Sequence, residues 1–299
     1  MSKNTTLLSL ILVVLLAIGF SFSGSKNVTP TTSTNGACSF TALDVGQGDA
    51  LLIQTSDHQD ILIDGGPNQK VVDTLSQELP IGDRDIELMV LTHPHADHVN
   101  GLVAVTERFA VRHVLETGVT FKQQAYETWH KLLSAQHAPS DIAVSGQRYE
   151  VGAAILDVLW PSTDLTKIPI MKDDAANGGG VNDASVVLRL TCGGSVVMLM
   201  GDASSEIEDR ILDNGATVQA NLLKVGHHGS RFSTSKRFLE AVQPLMAVIS
   251  DGAGNRYKHP HPSTLLRLEQ AHVPILRTDL LGIIRLKTDG QGGWVKVDK

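Results

Sequence analysis

In the run Leu91-Thr92-His93-Pro94-His95-Ala96-Asp97-His98, three imidazoles and a carboxylate fall within six positions. Imidazole nitrogens and carboxylate oxygens are the ligands of zinc and related divalent metals, at distances near ~2.0–2.2 Å. The cluster directly follows Leu88-Met89-Val90-Leu91, which reads as a buried strand, and a turn at the end of such a strand can point all four side chains inward. A solvated polar loop is the dull alternative, and four ligand side chains at this spacing rarely coincide in one.

Elements able to position such a cluster recur along the chain. From Cys38 onward, short apolar runs between Gly, Pro and Asp predict strands at Phe40–Val45, Ala50–Ile53, Asp60–Ile63 and Ile86–Leu91. Helical stretches are predicted at Val71–Leu79, His98–Arg108, Gln123–Ala135, Ser204–Leu212, Ser235–Val242 and Pro262–Ala271, some opened by cap residues such as Ser204 and Ser263. Ser185–Thr191 and Ser195–Met200, joined by Cys192-Gly193-Gly194, read as a hairpin whose second strand leads to Gly201-Asp202. The stretch Thr163–Gly180 has neither period and is predicted to be a long surface loop, a candidate lid.

The pattern His-x-His-x-Asp-His after a strand resembles the signature of the metallo-β-lactamase superfamily. That resemblance implies an α/β (α+β) fold, a four-layer αββα sandwich with metals at one edge. Within the superfamily the chain is most similar to the extracytoplasmic hydrolase domain of the ComEC family of DNA-uptake channel proteins. The matching segments are Leu43-Asp44-Val45-Gly46-Gln47-Gly48-Asp49-Ala50, Ile63-Asp64-Gly65-Gly66, the histidine cluster, Asn182-Asp183-Ala184-Ser185, Gly201-Asp202, Lys224-Val225-Gly226-His227-His228-Gly229-Ser230 and Asn255-Arg256-Tyr257-Lys258-His259-Pro260-His261-Pro262. They extend over nearly everything from residue 40 onward. They do not include that family's membrane channel, so DNA uptake is not inferred.

The resemblance implies two divalent metal ions, zinc with manganese as the alternative. It assigns His93 and His95 to one, Asp97 and His98 to the second, and Asp202 between them. Asp202 follows a strand and can emerge beside the cluster; its other reading is a cap for the helix after Ser204. Of His227 and His228, one can face the metals while the other turns aside, and His227 is taken as the ligand, with His228 in an outer or proton-transfer role. Where many superfamily members place a third histidine, this chain has Asn182-Asp183; Asp183 either supplies a carboxylate or is simply polar. Asp64 is implied to buttress the histidine loop, which would fix the tautomers of the ligands, or else only to form a turn. Asp44 and Asp49 read as turn residues holding a loop at the rim of the site.

Two divalent cations would activate water near neutral pH and neutralise charge on the attacked centre. Hydrolysis of a phosphate ester is the leading expectation, because Ser230, Arg231, Asn255, Tyr257, His259 and His261 offer donors to phosphate oxygens. Tyr257 and His261 can alternatively just pack a proline-rich loop. Asp97, His228 and His259 form the candidate catalytic set, with His259 placed to protonate a leaving group. DNA or RNA leads among phosphoester substrates, followed by choline-phosphate or cell-wall phosphodiesters, then lactones, β-lactams or other esters. A non-catalytic extracytoplasmic binding component is the alternative from another class, and the largely complete ligand set argues against it.

The chain has 299 residues, 42% of them hydrophobic, enough to fill a substantial core and to exclude general disorder. Its net charge of −7 argues against a general polyanion binder, although bound cations can make a cleft locally positive. Lys3, the apolar run Leu7–Phe20 and the small residues after it predict a signal peptide or membrane anchor over 1–23, followed by a Thr- and Ser-rich linker over 24–37 and a hydrolase domain over 38–299. Either N-terminal reading places the domain outside the cytoplasm: secreted, periplasmic, or tethered to the outer face of the cytoplasmic membrane. In an oxidising compartment Cys38 and Cys192 can join as a disulfide; otherwise they are two unrelated buried residues.

Overall fold

The computed structural model describes residues 26–28, 36–167, 179–289 and 292–298. The expected export segment, most of the linker, and residues 168–178 of the expected lid lie outside the described residues. No helix among the described residues is long and apolar enough to cross a membrane.

Two eight-stranded sheets are formed by the described residues. The first runs, in spatial order, Trp294–Lys296, Ile284–Thr288, Cys38–Ala42, Leu51–Thr55, Asp60–Ile63, Leu88–Leu91, Val114–Glu116 and Ser140–Ile142. The second runs Lys26–Val28, Arg148–Val151, Ala154–Trp160, Val187–Cys192, Ser195–Leu199, Leu222–Lys224, Met246–Ile249 and Ile275–Arg277.

Successive side chains on a strand point to opposite faces, and here both faces are apolar. Phe40, Ile53, Ile61 and Val90 of the first sheet meet Leu188, Val197, Leu222 and Val248 of the second in a core between them. The alternate residues Leu52, Leu62 and Met89 lie under the helices Lys70–Glu78, Ala96–Thr106 and Gln124–Gln136. Met198, Leu223 and Ala247 lie under Ser205–Asp213, Lys236–Val242 and Pro262–Gln270. Helix, sheet, sheet and helix therefore stack as four layers, the αββα arrangement that the family resemblance implies.

Boundaries differ from the sequence reading in a few places. The expected strand Ile86–Leu91 is broken at Glu87 into Asp85–Ile86, which pairs with Ala110–Val111, and Leu88–Leu91, which stays in the main sheet. Ser204 occupies the cap position of its helix without a side-chain cap hydrogen bond. Ser263 lies inside its helix, and the cap is His261, whose ring accepts from the Ser263 amide. A disulfide joins Cys38 to Cys192, 154 residues apart, and so links the two sheets covalently.

Candidate metal centre and adjoining cleft

The chemistry-bearing residues gather at the carboxyl ends of strands. Leu88–Leu91 leads into His93–His98, Asp60–Ile63 into Asp64, Ser195–Leu199 into Asp202, and Leu222–Lys224 into His227 and His228. Two glycines allow the close packing this requires. A Cβ on Gly101 would sit against the Gly65 carbonyl, and one on Gly48 against the Asp97 carbonyl, so the Asp64 turn and the Asp44–Asp49 loop press directly on the helix that begins at Ala96. The Gly65 amide donates to the His98 carbonyl at 2.8 Å and the Asp49 amide to the Asp97 carbonyl at 3.2 Å.

Asp202 is the hub. Its Oδ2 lies 3.4 Å from His98 Nε2, 3.5 Å from His228 Nε2, 3.6 Å from His227 Nε2 and 3.9 Å from His93 Nε2. His228 Nε2 is also 3.5 Å from Asp97 Oδ2, and His93 Nε2 is 3.0 Å from His95 Nδ1. In His93, His98 and His228 the other ring nitrogen, Nδ1, is engaged behind the cluster. Asp64 Oδ2 accepts from His98 Nδ1 at 2.8 Å and from the Thr92 hydroxyl at 2.7 Å. Because Thr92 gives its proton to Asp64, it accepts from His93 Nδ1 at 3.1 Å. His228 Nδ1 donates to the Ser250 carbonyl at 2.9 Å. Each ring is thereby left with Nε2 unprotonated toward the centre when neutral, the arrangement metal-ligating histidines use.

His98 Nε2, His228 Nε2 and Asp202 Oδ1 are buried without a hydrogen-bond partner. Orphaned polar atoms are costly unless something satisfies them. Ligand atoms of His93, His98 and Asp202, and of Asp97, His98 and His228, lie within 4.8 Å of one another. Divalent cations are the partners these residues fit.

Beside the cluster opens a cleft of about 660 Å³. His95, Asp97, Asp202, His227 and His228 line its floor, and Gln47, Asn182, Ser230, Arg231, Phe232, Tyr257, Lys258, His259 and His261 are among the residues that line the rest. The Arg231 guanidinium lies over Phe232, and that of Arg256 over Tyr257, whose hydroxyl it donates to at 2.7 Å. His261 spends Nδ1 on capping its helix.

A family model described as Metallo-beta-lactamase superfamily matches residues 43–250. The chain belongs to that superfamily. It is 30% identical over 283 residues to Competence protein ComA of Neisseria gonorrhoeae, covering 94% of this chain and 36% of that protein. It is 27% identical over 277 residues to ComE operon protein 3 of Bacillus subtilis, covering 85% of this chain and 34% of that one. The chain thus spans about a third of the length of these relatives. Among solved structures, the metallo-beta-lactamase fold protein YhfI of Bacillus subtilis superposes with a TM-score of 0.53 at 12% identity, covering 81% of this chain and 96% of that one, and shares the fold.

Measured against this superfamily centre, the residues singled out in the sequence sort themselves by contact. His93, His95, Asp97, His98, Asp202, His227 and His228 come together, but the expected roles of the last two are exchanged: His228, not His227, groups its ligand atom with those of Asp97 and His98, while His227 stands 3.6 Å from Asp202 at the cleft. Asp183 does not join them: burial raises its carboxyl, and its Oδ1 instead accepts from the Ser204 amide at 3.2 Å. Asn255 does not line the cleft; its side chain donates to the carbonyls of His259 at 2.6 Å and Gly252 at 2.9 Å and accepts from the His259 amide at 3.0 Å. Asp44 holds the rim, accepting from the Gly46 amide and pairing with Lys70 at 3.0 Å. His259 is pushed down to about 4 by burial and by the neighbouring His228 and His227, so its ring is neutral at pH 7. Thr92, Ser185, Lys224 and the Ser250 carbonyl support the cluster and went unnoticed in the sequence. Ser185 Oγ accepts from the Asp202 amide at 3.0 Å and lies 3.3 Å from His93 Nδ1. Ser185 and Lys224 sit in the matched segments, but only contacts across the fold give them a role.

Proposed function

We propose that this superfamily hydrolase is an exported phosphodiesterase that takes DNA or RNA strands or short phosphodiesters, with two divalent cations, zinc or manganese, in its centre. The observation that carries the reading is the cleft itself: a floor of ligand side chains meets a wall bearing Arg231, Lys258 and neutral donors. A phosphodiester carries one negative charge spread over two oxygens, which such donors recognise. That one relative is named a competence protein supports a role in DNA handling. The disulfide and the apolar N-terminal run support export, since such bonds persist mainly in oxidising compartments.

His93, His95 and Asp202 would hold one cation and Asp97, His98, His228 and Asp202 the other, with His227 at the cleft side of Asp202. When bound, such cations supply Lewis acidity and make water a nucleophile near neutral pH. The chain's residues do the remainder. Asp64 and Thr92 fix the histidine tautomers. Arg231 and Lys258 draw the phosphate in and orient it over the floor. His259, neutral in the cleft wall, offers a hydrogen bond on the leaving-group side.

The test is hydrolysis of bis(p-nitrophenyl) phosphate and of labelled single-stranded DNA by the metal-stripped chain before and after reloading with zinc or manganese. Cleavage restored by metal and reduced at least ~100-fold in His95→Ala is expected. Metal uptake with no cleavage of either substrate would move the reading to lactones or other esters, and inactivity there as well to a binding role.

A further inference from the structure

Lys224 is a lysine where the fold offers no water. It ends Leu222–Lys224, a central strand of the second sheet, and alternation points it the same way as Leu222, into the space between the sheets. Its side chain has no solvent exposure. An ammonium buried alone would be strongly unfavourable, so lysine here requires a partner.

That partner comes from the loop that joins the strands Cys38–Ala42 and Leu51–Thr55 of the opposite sheet. Lys224 Nζ lies 2.7 Å from Asp49 Oδ2, and its second contact is the Val225 carbonyl at 3.0 Å. Asp49 is equally buried, and its Oδ1 stands at ion-pair distance, 3.3 Å, from His228 Nδ1, whose hydrogen bond goes to the Ser250 carbonyl. A carboxylate oxygen of Asp49 also lies within 4.8 Å of ligand atoms of Asp202 and His228, close enough to compete for a cation if it were free to turn. Lys224 occupies Oδ2 and anchors it.

We propose that the Lys224–Asp49 ion pair is a positioning device for the metal centre. It holds the His228 ring with Nε2 toward Asp97 and Asp202, keeps Asp49 out of the coordination sphere, and so sets the affinity for the second cation. The inference rests on the two-cation reading above but not on the substrate.

Cobalt titration of the metal-free full chain, followed by visible absorbance, tests it without any hydrolysis assay. Lys224→Met and Asp49→Asn are expected to bind the first equivalent like the parent chain and the second about 10- to 100-fold more weakly, with an altered cobalt spectrum. In Lys224→Met/Asp49→Asn, with both charges gone, the thermal midpoint of the metal-free protein should recover relative to Lys224→Met while second-site affinity stays low. Should Lys224→Met fail to fold, Asp49→Asn, which keeps the side chain's shape, carries the comparison. Unchanged affinity for the second equivalent would overturn the proposal. Equal weakening of both equivalents that tracks the thermal midpoint would also do so, because the pair would then only tie the sheets together. A parent chain that takes up a single equivalent would remove its basis. Absent phosphodiester hydrolysis with the expected titration would leave this inference standing while the substrate reading falls.

Discussion

Something must neutralise a buried cluster of imidazoles and carboxylates, and without a cation that something is protons. Burial alone would lower His98 and His228, but Asp202 and Asp64 outweigh it for the first, and Asp202 and Asp49 for the second; both rings are held well above the ordinary histidine range. Burial would raise Asp202, yet His228, His227 and His98 hold it well below the usual carboxylate range. At pH 7 the metal-free centre therefore carries protons on rings that a cation needs bare. Metal uptake should release about one or two protons per chain, and affinity should strengthen as pH rises toward the raised histidine values and weaken as it falls. Calorimetric titration with zinc in buffers of different ionisation enthalpy measures this directly; uptake with no proton release would show that the rings are already neutral. The run from His93 to His98 was legible in the sequence because its ligands are neighbours in the chain. Lys224 was not, because its meaning depends on Asp49, 175 residues away. Asp183 stayed open between ligand and polar residue, because only the fold shows that its carboxylate is already engaged by the Ser204 amide.

At the scale of elements, strands were legible because both sheets are apolar on both faces, while their ends were not: Phe40–Val45 was expected where Cys38–Ala42 is found. Local apolar runs do not reveal where pairing stops, since Leu43 and Val45 stay buried beyond the ladder's end. The loop from Asp251 to His261 shows the same limit. Its donors were expected to face substrate, but Asn255 turns inward and makes three hydrogen bonds to the backbone of Gly252 and His259. It shapes the wall that carries Tyr257, Lys258 and His259. Asn255→Ala should lower kcat/KM for bis(p-nitrophenyl) phosphate by about 10- to 100-fold through misplacement of that wall, and cost roughly 1–3 kcal/mol of stability from the unpaired backbone groups. Metal stoichiometry should stay that of the parent chain. A loss of metal instead would place Asn255 in support of the centre rather than of the cleft.

The whole molecule is two sheets fastened at both ends. At one end, ligands from both sheets converge on Asp202. At the other, Cys38 opens its strand opposite Thr55, and Cys192 closes a hairpin opposite Ser195, with the strand Ser195–Leu199 running from the disulfide toward the metal centre. Both sulfurs are buried, so replacing them by alanine leaves a small cavity whose cost adds to that of the lost bond. The main effect is the entropy returned to the unfolded chain by opening a loop of 154 residues, a contribution of roughly 2–5 kcal/mol. For a domain of this size that corresponds to a fall in thermal midpoint of roughly 5–15 °C in Cys38→Ala/Cys192→Ala. Because the bond lies at the far end of the strands, metal stoichiometry and kcat of the folded variant should match the parent chain, and the fall should deepen when the metals are removed, since each fastening then holds the sheets without the other. An unchanged midpoint would mean that the apolar core between the sheets fixes them unaided, whereas loss of metal at moderate temperature would mean that the two ends are mechanically coupled through the strands.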